Sequence, residues 1–389
     1  MPAPELNPHL ERITDEQVHN LTQTVLHSNF DALQINGYKY SHNQIWDVLL
    51  YASTNGVSIK TSCESLVDAP SYNWVYTMLK TKLFESYSLD ELEQQGNDTL
   101  KDTFPKRLEK SPLKLALDLV LIPYYGDETT TGIYRSQAKK STTKFFCYAS
   151  GYLIKKNKRV TICFTYVQPE DTPCVQPEDT LLEILKRLLK RVRSLGIHLK
   201  RLYLDRGFAQ VSVIRYLRRQ IYVSIIALPK RGERLKAMQR GKKSATTTYT
   251  MNSPKSGSAT FPLWMACRYQ KGKAKKHGVA YLFFAVLGKC KSPILQIAEE
   301  YRQRFGIETS YRIMNQTRAL TTSKNPSLRL LLVSIAFLLA NIWVWLKWNL
   351  TLISRRRQNK TPLFSLNLFC LFITESIKNI YHALNELKL

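Results

Sequence analysis

From residue 114 onward the chain alternates between apolar runs and amphipathic stretches, and that alternation predicts its central fold. KLALDLVLIPYY (114–125) is an apolar run interrupted by one carboxylate, the pattern of a strand buried on both faces. FFCYASGYLI (145–154) and RVTICFTYV (159–167) predict two more strands, joined by the basic turn Lys155-Lys156-Asn157-Lys158. LEILKRLLKRVRSL (182–195) carries its leucines at helical spacing; Thr180 and Glu183 have capping-box spacing, and Gly196 supplies a stop. KRLYLD (200–205) predicts a strand, Ala209–Arg219 a helix and YVSIIALP (222–229) a further strand. Strands followed by helix, strand, helix and strand predict an α/β core around a mixed sheet.

The flanking regions read differently. After a polar lead, Gln44–Ser53, Ser58–Leu66 and Ser71–Leu83 predict three short helices separated by Asn55-Gly56 and Ala69-Pro70. Such a trio suits a helix-turn-helix that reads DNA ends, with Lys60, Lys80 and Lys82 as local contacts, or equally a small bundle or dimerisation module. Residues 230–290 carry threonine- and aromatic-rich runs between Gly/Ser/Lys turns, which predicts an inserted β-rich subdomain. Helical spacing returns at Pro293 and runs to about Thr317. LLLVSIAFLLANIWVWL (330–346) reaches only the lower edge of a membrane span and contains Ser334 and Asn341, so a buried core helix is expected. A final amphipathic helix is expected over Leu363–Leu387. The organisation read from these patterns is 1–110 helical, 111–229 and 291–350 core, 230–290 β insertion and 351–389 helical tail.

Charge sharpens this division. The 389 residues hold 57 Lys+Arg against 30 Asp+Glu, a net of +27. Residues 1–110 hold 9 basic and 15 acidic residues, a net of −6, so the remainder carries +33. A surface so far from neutrality points to a polyanionic partner, most simply nucleic acid. The excess is densest at 230–276, where 13 basic residues face the single acid Glu233. Lys230, Arg231, Lys242, Lys243, Lys273, Lys275 and Lys276 are therefore expected to contact DNA backbone, with salt-sensitive, sequence-independent binding. The face Lys186, Arg187, Lys190, Arg191 and Arg193 could do the same or simply be solvated.

Other chemistries are excluded or disfavoured. The seven cysteines form no C-x-x-C pair and the N-terminus is too polar for a secretory leader, so a reducing, cytoplasmic and nucleoid-associated setting is expected, without structural zinc. No phosphate-binding loop of the G-x-x-x-x-G-K-[ST] type is present, which argues against a nucleotide cofactor. The segments VQPEDTPC (167–174) and VQPEDT (175–180) repeat in tandem between a strand and a helix, where loop lengthening costs little closure entropy.

Three acids stand where a bland explanation is hardest when they are taken together. Asp118 interrupts an apolar strand, where a charge needs a metal or a cation. Asp205 closes a strand at its carboxyl end, where α/β folds place their sites. Glu308 lies on the helix expected over Ala298–Met314. Brought together, three carboxylates repel, and hard divalent cations such as Mg²⁺ or Mn²⁺ would hold them ionised.

At these residues the chain resembles the DDE transposases of bacterial and archaeal insertion sequences, whose core is RNase H-like. LDLVLIPYYG carries Asp118, YLDRGF carries Asp205, and Tyr301, Arg304 and Glu308 match the signature Tyr-x₂-Arg-x₃-Glu-x₆-Lys. The lysine position is Asn315, a departure that Gln316 or Arg318 could offset. The resemblance covers about 110–350. It implies a DNA transposase that joins and cuts strands with two Mg²⁺ or Mn²⁺ ions held by Asp118, Asp205 and Glu308. Tyr301 and Arg304 would contact DNA phosphate near Glu308, with Arg206 beside Asp205, and first-strand nicking could proceed through a hairpin. Double-stranded element ends and target would be the partners of a homodimer with no membrane attachment. Two other readings stand beside it: a decayed or domesticated DNA-binding protein, suggested by the repeat and Asn315, and a membrane-associated protein anchored by 330–346.

Overall fold

Among the described residues, nine strands hydrogen-bond into one mixed sheet. The structure is a computed structural model that describes residues 11–28, 30, 33, 39–104, 112–127, 130, 132–154, 160–167, 181–230, 233–239, 242–270, 278–356 and 363–383. The chain opens with helices α1 (Asp15–His27), α2 (His42–Asn55), α3 (Ile59–Ser65), α4 (Tyr72–Leu79, extended by a π-turn to Phe84) and α5 (Leu89–Asp102). The core follows as β1 (Leu113–Pro123), β2 (Tyr134–Lys139), β3 (Thr142–Leu153), β4 (Thr161–Val167), α6 (Leu181–Ser194), β5 (Leu199–Leu204), α7 (Val211–Arg218) and β6 (Val223–Ala227). Beyond it come α8 (Glu233–Ala237), β7 (Ala245–Ser253), β8 (Gly257–Gln270), β9 (Gly278–Leu287), α9 (Ile294–Gln303), α10 (Gly306–Gln316), α11 (Pro326–Arg356) and α12 (Leu366–Tyr381).

β1 is the pivot of the sheet. It pairs antiparallel with β3 on one side and parallel with β5 on the other, and β5 pairs parallel with β6. With β4 on the far edge of β3, this gives the RNase H-like mixed sheet expected from sequence. The 230–290 stretch does not build a separate sheet. β9 pairs antiparallel with β6, and β8 and β7 follow outward, so the same sheet simply continues. The tandem repeat, at 167–180, lies outside the described residues except for Val167.

Three apolar clusters cover the sheet. Leu115 and Leu117 of β1 face α6 and α7, whose leucines and valines fill that side. Ala116 of β1, pointing the other way by the alternation of a strand, joins Tyr203, Phe284, Ile297 and Ile307 under α9 and the start of α10. Further along that second face, Val120 and Ile122 enter a third cluster built with the N-terminal helices, α11 and α12. The first and last helices thus share one core. Asp47 of α2 makes the tie explicit: it accepts from Tyr381 (2.7 Å) and pairs with His19 (2.7 Å), whose other ring nitrogen meets Ser376 at 3.0 Å.

α11 contains a stretch apolar and long enough to cross a membrane, and 72% of that window is buried inside the protein. Asn341, buried in the middle of that stretch, explains how it sits. Asn341 accepts from Thr161 N (3.0 Å) and donates to Thr161 O (2.8 Å) and Thr103 Oγ1 (3.0 Å), locking the helix to β4 and to the end of α5. Gly96 lets α5 approach closely, because a methyl there would meet Phe164 at 2.8 Å and Ser334 at 3.0 Å. Asn341→Ala would leave the Thr161 donor and acceptor without these buried partners. We expect a loss of roughly 2–4 kcal/mol, visible as a fall of several degrees in melting temperature; an unchanged melting temperature would show that Asn341 is not the tie.

Candidate active site

The parallel pairing of β1 with β5 brings two of the three acids side by side. Leu117 is in register with Leu204, the last pair of this ladder, so the next residues along are Asp118, still within β1, and Asp205, just past the end of β5. Strand alternation places both on the face of Ala116 and Tyr203, where the parallel pairing of β1 with β5 ends. Asp118 lies at the seam between the cluster under α9 and the cluster of the helical domain. Its Oδ1 accepts from Leu119 N (2.9 Å) and its Oδ2 from the Arg304 guanidinium (3.2 Å). Asp205 accepts from Gly207 N (3.0 Å), which starts a short 3₁₀ turn over Arg206–Phe208.

The electrostatics follow from this crowding. Burial pushes the Asp118 carboxyl up, Arg304 pulls it down and the charge of Asp205 pushes it up again, leaving it at about 6. Arg304 is itself buried, which disfavours its charge, but Tyr301, Asp118 and Asp205 outweigh that and raise its pKa. Its guanidinium lies over the rings of Tyr301 and Phe305, 5.3 and 5.2 Å from their centroids. Its buried Nε has no hydrogen-bond partner.

The helix expected over Ala298–Met314 is two helices. α9 ends at Gln303, and α10 begins at Gly306. Between them the bonds shorten to the i→i−3 kind: Arg304 N to Tyr301 O (3.0 Å), Phe305 N to Arg302 O (3.1 Å) and Ile307 N to Arg304 O (2.9 Å). Gly306 permits the bend, since a Cβ there would approach the Tyr152 hydroxyl to 2.9 Å. Glu308 follows in the first turn of α10 and is exposed. One turn later, Tyr311 donates to the Asp118 carbonyl (3.0 Å) and shares a hydrogen bond with Ser150 (3.0 Å). Glu308 therefore rides on a helix docked against the site while its carboxylate stands apart from the aspartates. No three His, Cys, Asp or Glu side chains among the described residues lie close enough together to hold a metal ion.

A cleft of about 470 Å³ opens beside Asp205 and is lined by Arg206, Lys230, Tyr301, Arg304 and Phe305, with Phe284 in its floor. Five of the residues expected from sequence thus meet in one place. Burial and the neighbouring Arg206 both lower the Lys230 pKa. Lys242 and Lys243 are exposed just before β7 and do not line this cleft, while Arg231, Lys273, Lys275 and Lys276 lie outside the described residues. Asn315 and Gln316 are exposed at the end of α10, and Arg318 is half-buried beside Tyr148. Four of the five basic residues on the basic face of α6 are engaged within the protein, and Lys190 is exposed. Arg191 pairs with Glu93 (3.3 Å), Lys186 with Glu183 (2.7 Å), and Arg187 and Arg193 donate to Tyr166 O and Gln220.

Sequence reasoning missed Glu300, which sits one residue before Tyr301 and is buried among cations. The available signal was Lys114 opposite Arg201 on adjacent strands. Two like charges in direct register need a shared acid.

The donor chemistry fits a hard divalent cation: two adjacent carboxylates, one with its pKa pushed well up, where the parallel pairing of two strands ends. In this structure the cation beside them is the Arg304 guanidinium. An RNase H-like sheet that carries paired aspartates beside a basic cleft suits an enzyme of phosphodiester chemistry. The sequence profile of the transposase DDE domain matches residues 130–342, more than half of the chain, and the chain belongs to that family. It is a DNA transposase, and DDE transposases generally work with divalent metal ions. The match includes Asp205 and Glu308 and begins after Asp118. A cryo-EM structure of a piggyBac transposase synaptic complex with hairpin DNA shares the fold, with a TM-score of 0.56 and 11% identity over 95% of this chain and 77% of that chain. No curated protein gives a significant match.

Asp118 also makes a pH prediction. Its folded pKa of about 6 lies above its ordinary 3.8, so the folded state holds the proton more tightly. The stability it contributes is full below about pH 3.8 and is lost as pH rises through about 6. Asp118→Asn, uncharged throughout, should therefore exceed wild type in EDTA above that upper value by about 2–3 kcal/mol. The advantage should shrink toward zero near pH 4. Thermal melting across pH checks this; a gain independent of pH would refute the assignment to charge.

Proposed function

We propose that this transposase acts on the ends of an insertion sequence as double-stranded DNA, cutting and rejoining strands in a cut-and-paste reaction. The observation that carries this reading is the Asp118–Asp205 pair where the parallel pairing of β1 with β5 ends, with Arg304 bonded to Asp118 and a basic cleft beside Asp205.

Asp118 and Asp205 would hold two Mg²⁺ or Mn²⁺ ions jointly, and Glu308 would complete the set once the first turn of α10 swings its carboxylate toward them. When bound, the ions would activate a water or a 3′-hydroxyl for attack on phosphorus and stabilise the leaving oxygen. Arg304 and Tyr301 would take the scissile phosphate, with Arg206 and Lys230 on the flanking backbone. The remaining basic positions, Arg231, Lys242, Lys243, Lys273, Lys275 and Lys276, would follow the duplex further out, adding sequence-independent affinity. Paired ends require two active sites, so a homodimer is the working unit, acting in the cytoplasm at the nucleoid. First-strand nicking followed by a hairpin at the element end is the excision route we favour.

The test is nicking of a plasmid carrying the DNA that flanks the gene, with and without Mg²⁺ or Mn²⁺. Metal-dependent breaks at defined ends are expected, with Asp205→Asn reducing the rate at least a thousandfold, on the order of 4 kcal/mol of barrier, while DNA binding persists. A fold-back strand on a denaturing gel would mark the hairpin. Binding without any cleavage would instead identify a decayed copy, and cleavage that survives Asp205→Asn would place the site elsewhere.

A further inference from the structure

We propose that Glu300 is a positioning residue that sets the register of α9 against the two aspartate strands and thereby aims Arg304 and Tyr301 at the reacting phosphate. Glu300 is only 7% exposed. Its Oε1 accepts from Lys114 Nζ at 2.8 Å and from Gln296 at 3.2 Å. Its Oε2 accepts from the Arg201 guanidinium and from the Tyr203 hydroxyl. Arg201 also reaches Ser292, just before α9. One carboxylate thus binds the helix to β1 through Lys114 and to β5 through Arg201 and Tyr203.

The spacing gives this clamp its meaning. Lys114 precedes Asp118 by four residues, Arg201 precedes Asp205 by four, and Glu300 precedes Arg304 by four. Four residues return to the same face of a strand and to nearly the same face of a helix. A layer of Lys114, Arg201 and Glu300 therefore lies directly behind a layer of Asp118, Asp205 and Arg304. Over that interval a strand advances about 13 Å and a helix about 6 Å, and the long Arg304 side chain spans the difference. Slipping α9 by one residue would rotate it by about 100° and carry Arg304 away from both aspartates. Burial works against the Glu300 charge, but Lys114, Tyr203 and Arg201 outweigh it and hold the carboxyl at about 2. The clamp stays ionised at any working pH.

This inference rests on the proposed function, in which Arg304 contacts phosphate. The test is a double-mutant cycle on the full chain with Glu300→Asp, which keeps the charge but withdraws it by one methylene, Arg304→Ala and the double variant. Affinity for an end duplex across salt concentrations and the rate of nicking are both read. Glu300→Asp is expected to lower nicking kcat/KM about tenfold and to flatten the salt slope by about one unit, as loss of one phosphate contact would. In the Arg304→Ala background it should add nothing, because both changes remove the same contact. Should Glu300→Asp fail to fold, Lys114→Gln, which loosens one arm of the clamp, takes its place in the cycle. Additive losses would overturn the proposal, as would a lowered melting temperature with affinity, salt slope and nicking unchanged. Wild type that binds the duplex but never nicks would count against the proposed function alone, since the cycle reads equally from affinity. Wild type that does not bind the duplex would overturn both.

Discussion

Two negative charges forced together by sheet geometry govern this molecule. Parallel pairing of β1 and β5 leaves Asp118 and Asp205 as neighbours where that pairing ends, with Asp118 largely out of water. Neither can move away, because the residues before them are in the core. The repulsion must be met by positive charge, and the protein supplies it from α9 through Arg304. Much of the surrounding architecture serves to bring that one guanidinium to that place: the anchoring of α9 by a buried carboxylate, the bend at Gly306 and the docking of α10 through Tyr311. Arg304 offsets one of the two negative charges, and a divalent cation would offset the remainder.

The central fold was readable because its strands and helices differ sharply in hydrophobic period. β1, β3, β4, β5 and β6 and helices α6 and α7 stand within a few residues of the runs that predict them. α1 and α5 went unrecognised since both are polar sequences with few apolar positions. Each nonetheless starts with a capping box, Thr14 with Gln17 and Ser88 with Glu91, a local signal that outlasts weak amphipathicity. β2 is short and exposed, so alternation left no trace.

The 230–290 stretch was readable as β-rich but not as part of the main sheet. Its pairing with β6 joins residues 224–227 to 284–287, a long-range choice that no local pattern encodes. The site was readable in its acids and not in their partners. Asp118 and Asp205 interrupt or end apolar strands, which sets them apart in one dimension. Glu300 follows Glu299 on a helix and looks solvated until Lys114 and Arg201 are seen facing each other. The single long helix expected around Glu308 is instead broken next to Gly306, where an added Cβ would crowd the hydroxyl of Tyr152, a contact with a distant strand that no local pattern shows.

The shared core of the first and last helices has a consequence for synthesis. Asp47 is buried against His19 from one end of the chain and Tyr381 from the other. A ribosome delivers those partners far apart in time, so the central sheet can assemble while the helical layer waits with an unmatched acid and an open apolar face. That layer cannot be completed until α12 has been made. A chain truncated before residue 366 would keep the strands that carry both aspartates yet lose the surface on which its own first helices settle, and would be exposed to aggregation and proteolysis before it could engage any DNA.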